Sequence, residues 1–210
     1  MNLLRIGVLA SGRGSNLQAI IDAIEQKALD AQIAVVISNK EQAVALERAR
    51  RHGLTDVFLD PQSVKEEADP RQAYDQLLLQ VLKTQQVDLV ILAGYMRIVT
   101  PLLIQAYPGR IMNIHPSLLP AFPGLRVQQA ALEWGVKVSG CTVHIVTEGV
   151  DEGPIILQAA VPVLDDDSPE TLAERILEQE HKIYPEAIQL FAHNRLRMEG
   201  RQVVILPENL

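Results

Sequence analysis

Short, unbroken runs of Val, Ile and Leu alternate with longer amphipathic segments as far as about residue 115, and this alternation constrains the fold more than any other feature. Arg5 to Ala10, Ile33 to Ser38, Asp56 to Leu59, Asp88 to Ala93 and Arg110 to Ile114 read as strands. Several lack the polar alternation of a half-exposed sheet, which marks strands covered on both faces. Leu17 to Gln26, Glu41 to Arg51, Ala73 to Gln86 and Pro101 to Ala106 lie between them with helical spacing or composition. Strand and helix in strict succession call for right-handed crossovers and parallel pairing. The expected class is α/β, with an open, mostly parallel twisted sheet and helices on both faces.

The pattern changes further along. Val138 to Val146 and Pro154 to Val163 are separated only by Thr147 to Gly153, too short a crossover for parallel strands, so this pair is expected to be antiparallel. Ser168-Pro169-Glu170 supplies an N-cap, a first-turn proline and a first-turn acid for a helix reaching about His193, which Pro185 should interrupt or kink. Arg195 to Leu206 could form a small hairpin around Gly200. With no internal repeat or long linker, residues 1–210 are expected to form a single domain with a C-terminal extension at 194–210.

Composition narrows the function classes. A chain of 210 residues that is 48% hydrophobic can bury a full core. Its net charge of -7 argues against a general nucleic-acid binder, which needs clustered Lys and Arg. Cys141 is the only cysteine, so no internal disulfide can form. No apolar run reaches the roughly 20 residues that span a bilayer, and the first residues lead into a strand rather than a signal peptide, so a soluble cytoplasmic protein is expected.

The first strand runs into Ser11-Gly12-Arg13-Gly14-Ser15-Asn16-Leu17, a glycine-rich turn that opens a helix. Backbone N–H groups and the helix dipole there suit an anion, and a phosphate is the natural candidate. Such a turn can equally serve strand–helix packing alone. It fails as a dinucleotide fingerprint, because Leu17 replaces the third glycine and the second strand ends in Ser38-Asn39-Lys40 with no acid for a ribose hydroxyl.

A second constellation lies in Asn113-Ile114-His115-Pro116-Ser117-Leu118-Leu119-Pro120, with Asp151 following in Gly149-Val150-Asp151-Glu152-Gly153-Pro154. Strand alternation points Asn113 and His115 to one side and Ile114 to the other. The three polar residues sit at strand-to-loop transitions, where open α/β sheets bind ligands. Plainer readings stand beside this one. Asp151 could simply shape a glycine turn, and His144, among Val143, Ile145 and Val146, reads as core or as support for a site. A zinc site from His115, His144 and Asp151 lacks the usual ligand spacing, and Ser117 lacks the nucleophile elbow of a hydrolase triad.

These segments, with Leu92-Ala93-Gly94-Tyr95-Met96-Arg97-Ile98, Phe122-Pro123-Gly124 and Gly140-Cys141-Thr142-Val143-His144, resemble the folate-dependent formyltransferases over the first strand to about Pro185. Ser-Gly-x-Gly-Ser-Asn-Leu is similar to the branch acting on glycinamide ribonucleotide. The resemblance implies a Rossmann-like formyltransferase fold, a phosphate-binding half at 1–100 and a catalytic and folate-binding half at 101–193. It also implies 10-formyltetrahydrofolate as co-substrate, no metal, and formyl transfer to the amine of 5-phosphoribosylglycinamide through a tetrahedral oxyanion. Asn113 and His115 would stabilise that charge, and Asp151 would hold a proton on the imidazole and relay the amine proton. Gly14, Ser15, Asn16 and Glu180 would bind the ribonucleotide, while Met96, Arg97, Ile98, Val99, Asn113 and Arg71 would bind the folate.

On pattern alone Met96 and Ile98 are core, Glu180 is a solvated helix charge and Arg71 is an exposed first-turn residue. The expected partners are these small molecules, with no nucleic acid or membrane, for a monomer or homodimer. A sibling formyltransferase or a formyl-folate hydrolase would use the same trio. A nucleotide-binding regulator would need only the glycine turn, and a nicotinamide oxidoreductase is opposed by Leu17.

Overall fold

The computed structural model describes residues 3–208. Two compact units emerge, one ending at Met112 and the other beginning at Asn113.

The first unit contains β1 (Leu4–Leu9), α1 (Ser15–Glu25), β2 (Ala31–Ser38), α2 (Val44–Arg51), β3 (Asp56–Phe58), a 3₁₀ turn (Pro61–Val64), α3 (Pro70–Thr84), β4 (Leu89–Leu92) and α4 (Pro101–Ala106). Its strands lie in the order β3-β2-β1-β4, all parallel, as the alternating pattern requires. Every residue of β4 and the last four of β1 are buried, which is why these runs carry no polar alternation. Gly7 is fixed by packing. A Cβ there would lie 2.7 Å from Leu82 Cδ2, so the glycine lets α3 and the segment after it approach β1. α3 begins three residues before its apolar spacing does, because the Asp69 carboxylate accepts N–H bonds from Arg71 and Gln72 and Pro70 occupies the first turn. β5 (Ile111–His115) carries the chain across the boundary between the units.

In the second unit, β6 (Val138–Ile145) and β7 (Ile155–Pro162) pair antiparallel, as their short connection demands. α5 (Val127–Glu133) was not anticipated by the sequence, since it buries only Val127 and Ala131 and so shows little periodicity. α6 (Pro169–Ala192) opens on Ser168, whose side chain accepts the Thr171 N–H while Thr171 Oγ1 accepts the Ser168 N–H.

Pro185 does not interrupt α6. The helix runs through it to Ala192 while burying Leu172, Ile176, Ile183, Tyr184, Ala187 and Ile188. A helix-interior proline costs about 3 kcal/mol, whereas each large buried side chain returns about 1.5–3 kcal/mol, so packing wins. The tail forms the expected hairpin, β8 (Leu196–Glu199) and β9 (Gln202–Ile205), with β9 parallel to β7. Among the described residues no helix is long and apolar enough to cross a membrane.

Candidate active site

Asn113 and His115 are two residues apart inside β5, so alternation gives them one face, with buried Ile114 on the other. They sit within the strand rather than beyond its end. On β6, Thr142 and His144 share a face by the same rule. Asn113 Nδ2 lies 3.1 Å from His144 Nε2, and His144 Nδ1 lies 3.0 Å from the Ile145 carbonyl. A carbonyl only accepts, so Nδ1 carries the proton and Nε2 offers its lone pair to the Asn113 amide. Burial lowers the His144 pKa, opposed by the Ile145 bond and the charge of Asp151, which favours the neutral ring that this arrangement needs. His144 thereby sets the orientation of Asn113, and the second N–H of the amide remains for another acceptor.

His115 is gripped at both nitrogens. Nε2 donates to the Phe122 carbonyl at 2.9 Å, and Nδ1 faces Asp151 Oδ2 at 3.4 Å. The same Oδ2 accepts the Gly124 N–H at 2.9 Å, while Oδ1 stands 3.7 Å from His144 Nε2. Asp151 reaches this position from a left-handed backbone conformation, φ 55°, in the turn between β6 and β7. Gly153 makes that turn possible, because a Cβ there would collide with the Ile145 carbonyl oxygen. With Nε2 already protonated, Nδ1 and the carboxylate face each other as two acceptors unless a proton lies between them.

The geometry turns the hydrolase triad aside. Ser117 Oγ donates to the carbonyls of Ala121 and Phe122 at 2.6 and 3.1 Å, so it is not poised as a nucleophile on His115. Among the described residues no group of three or more His, Cys, Asp or Glu side chains is arranged to hold a metal ion. His144 illustrates why, since both of its nitrogens are engaged within the protein.

In the first unit, the glycine turn delivers Gly14 to the N-cap of α1 at φ 69°, and no side chain caps that helix end. Gly14 also has a packing reason to be glycine, because a Cβ there would lie 2.9 Å from Ala45 Cα. A Cβ on Gly12 would meet nothing. Packing is thus the constraint at Gly14, and none of the kind acts at Gly12. Ser15 is half-buried and Asn16 buried.

The segment after β4 is held from several sides. Ser11 Oγ accepts the Met96 N–H at 2.8 Å and donates to Asn39 Oδ1, and the Ser11 N–H donates to the Gly94 carbonyl. The Arg97 guanidinium stacks on the Tyr74 ring at 4.1 Å, and Asp75, buried with its pKa raised chiefly by desolvation, accepts the Thr100 N–H. Braced in this way, the segment turns Met96 and Ile98 outward, 65% and 59% exposed, with Val99 buried. Pattern alone made both of them core, and the structure corrects this. Glu180 is corrected in the other direction. It is 7% exposed rather than a solvated charge, and after burial itself its charge is the next cause pushing the Cys141 thiol up to about 12. Arg71 is exposed in the first turn of α3.

Residues 4–188 match the formyl transferase family. The chain belongs to that family. It is 46% identical over 195 residues to the phosphoribosylglycinamide formyltransferase of Escherichia coli, covering 93% of this chain and 90% of that protein. A crystal structure of glycinamide ribonucleotide transformylase 1 from Symbiobacterium toebii superposes with a TM-score of 0.95 at 57% identity, covering 98% of this chain and 95% of that one. The trifunctional purine biosynthetic protein adenosine-3 of Drosophila pseudoobscura pseudoobscura is 49% identical over 92% of this chain, which spans only 14% of that much longer protein.

The stretch that matches the formyl transferase family includes every element of the site and stops before the β8–β9 hairpin. Several groups in it escape a reading of motifs. Phe122 and Gly124 act through backbone atoms, which no side-chain pattern reports. His144 had one available signal, its shared parity with Thr142 on a strand otherwise apolar at this end.

Proposed function

We propose that this formyl transferase moves the formyl group of 10-formyltetrahydrofolate to the primary amine of 5-phosphoribosylglycinamide, a one-carbon step of purine biosynthesis. The observation that supports the reading is the pairing of an oriented amide with an imidazole–carboxylate couple: Asn113 set by His144, and His115 set between Phe122 and Asp151. Acyl transfer between nitrogens needs these two services and no covalent nucleophile.

The amine lone pair attacks the formyl carbon, and the C=O π electrons move to oxygen. Asn113 donates its second N–H to that oxyanion, and the protonated ring of His115 stabilises the same charge. Because the His115 Nε2–H is committed to Phe122, the ring acts through its charge and through the proton at Nδ1. The ammonium proton of the adduct passes to Asp151, directly or through water, and returns to the departing folate nitrogen as the carbonyl re-forms and the C–N bond breaks. Gly14, Ser15 and Asn16 take the substrate phosphate at the α1 N-terminus. Glu180 binds the ribose or glycinamide end. Met96, Arg97, Ile98 and Val99 hold the pterin, and Arg71 meets the carboxylates of the folate tail.

The test is a formylation assay with 10-formyltetrahydrofolate and glycinamide ribonucleotide, run beside His115→Ala. Formylated ribonucleotide should form with the native chain and fall to near background with the variant. Release of formate at the same rate with and without acceptor would instead assign a hydrolase. Turnover with a different amine only would assign a sibling transferase.

A further inference from the structure

Thr142 and Gln158 stand directly opposite each other on β6 and β7. Thr142 is fully buried, and its hydroxyl is saturated: it donates to the Ser117 carbonyl at 2.7 Å and accepts from the Leu119 N–H at 3.0 Å and from Gln158 Nε2 at 2.9 Å. The second N–H of the Gln158 amide donates to the Leu119 carbonyl at 2.9 Å. Two side chains thus read the backbone of residues 117–119 as a neighbouring strand would. From that anchored root the Ser117 hydroxyl reaches the carbonyls of Ala121 and Phe122, the Phe122 carbonyl receives the His115 Nε2–H, and the Gly124 N–H holds Asp151 Oδ2. Hydrogen bonds therefore lead from a cross-strand pair to His115 through Phe122, and two residues further along the same loop backbone Gly124 holds Asp151.

We propose that Thr142 and Gln158 are positioning residues that fix which nitrogen of His115 carries the proton, by holding the 117–124 loop so that the Phe122 carbonyl faces Nε2. With Nε2–H held there, Nδ1 is the one ring position that can trade a proton with Asp151. Releasing the loop root lets Phe122 withdraw, and the neutral ring then places its proton on Nδ1, against the carboxylate. In that tautomer a second proton must enter at Nε2, on the side away from Asp151, so the carboxylate no longer governs the proton that charges the ring. The catalytic consequence rests on the formyl-transfer reading, whereas the tautomer itself is a property of the unliganded protein.

The discriminating variant is Thr142→Val, which keeps shape and β-branching and removes the hydroxyl. A misplacement of about 1 Å caused by a substitution away from the reacting atoms can cost on the order of a hundredfold, so kcat should fall at least about tenfold with both KM values nearly unchanged. In 15N-resolved NMR of the unliganded chain, His115, assigned among the five histidines by comparison with His115→Gln, should move from the Nε2–H form to the Nδ1–H form or a mixture. Thr142→Ser should restore both readouts. Val36→Ala, a core truncation in β2, should lower the melting temperature and leave kcat and the His115 signals alone, separating positioning from stability. Should Thr142→Val fail to fold, Gln158→Leu removes two of the four bonds and is expected to shift the tautomer in the same direction.

An unchanged His115 spectrum in the folded variant, or a kcat that Thr142→Ser does not restore, overturns the proposal. If the native chain shows the Nε2–H form and Thr142→Val loses it, but neither transfers formyl groups, the positioning role stands and the functional reading falls.

Discussion

The groups around Asn113, His115 and Asp151 and the segment from Gly94 to Thr100 are both built on the ends of strands, yet they are finished in opposite ways. Around the trio, polar atoms are committed: each nitrogen of His115 and His144 faces a named partner, and Asp151 Oδ2 faces two. In the 94–100 segment it is the Met96 and Thr100 N–H groups and the Arg97 guanidinium that are committed, to Ser11, Asp75 and Tyr74, while Met96 and Ile98 are left in solvent. On the proposed function the contrast separates two tasks. Stabilising developing charge requires dipoles already oriented before the reaction, because reorienting them costs part of what they contribute. Holding a flat, largely apolar ligand requires exposed apolar area on a backbone stiff enough not to collapse over it. The first region should therefore fail in kcat when disturbed, and the second in KM.

The sharpest break of this division is Asn113→Ala. An oxyanion donor contributes about 2.7–4 kcal/mol to barrier lowering, so kcat should drop about 100- to 1,000-fold while binding of both substrates survives. Steady-state kinetics with both substrates varied checks it. A loss confined to KM would move Asn113 from the chemistry to ligand binding. The variant also leaves His144 Nε2 without its donor, so part of the native ring geometry goes with the amide.

Acid should disturb the same region next most strongly. Burial depresses the His144 pKa below its ordinary 6.5. A buried imidazole of this kind contributes stability that is fully present above the unfolded value and is lost as pH falls from there through the lower folded value, because the unfolded chain takes up the proton first. Once the folded chain is protonated as well, Nε2–H points at the N–H groups of Asn113 and the amide must turn over, presenting its carbonyl oxygen to a negatively charged transition state. Comparing the native chain with His144→Gln, the native melting temperature should fall more steeply between pH 8 and pH 5, and its kcat should share that acid limb. Parallel melting curves would show that His144 does not titrate as placed.

How much of this could be read from residue order follows the range of the interactions. The strands of the first unit were visible to within a residue or two because burial on both faces is a local property of a run such as Leu89–Leu92. The common facing of Asn113 and His115 was visible for the same reason, as pleat geometry needs no knowledge of the fold. His144 was visible only as core or as support for a site, since the amide it orients lies on a neighbouring strand 31 residues away in sequence. Pattern alone misread Met96 and Ile98 as core because nothing local reveals that Ser11, 85 residues before Met96, fixes the backbone that turns them outward. Glu180 failed for the mirror reason: its helix face is charged in sequence but covered in the fold. Pro185 shows local propensity overruled by a long apolar face.

The binding segment should yield smaller effects, in KM. Ile98→Ser removes exposed apolar area, and burying an isoleucine side chain is worth about 1.5–3 kcal/mol when complete, so partial cover by a ligand should raise the folate KM about three- to tenfold with little change in kcat. Arg71→Ala should be the mildest change of all. Arg71 is exposed on the first turn of α3, and its backbone N–H, rather than its guanidinium, is what Asp69 holds. A solvent-screened pair between its side chain and a carboxylate contributes only about 0.2–1 kcal/mol, which corresponds to a rise of about 1.4- to 5-fold in the folate KM. The same screening makes the effect fade as salt is added, so the ratio of native to variant KM should approach one between low ionic strength and about 1 M salt. Ile98→Ser should keep or enlarge its ratio over that range, because salt strengthens apolar burial rather than weakening it. A salt-independent Arg71 effect, or one expressed in kcat, would place that residue outside the tail-binding role and leave the apolar segment to carry folate affinity without it.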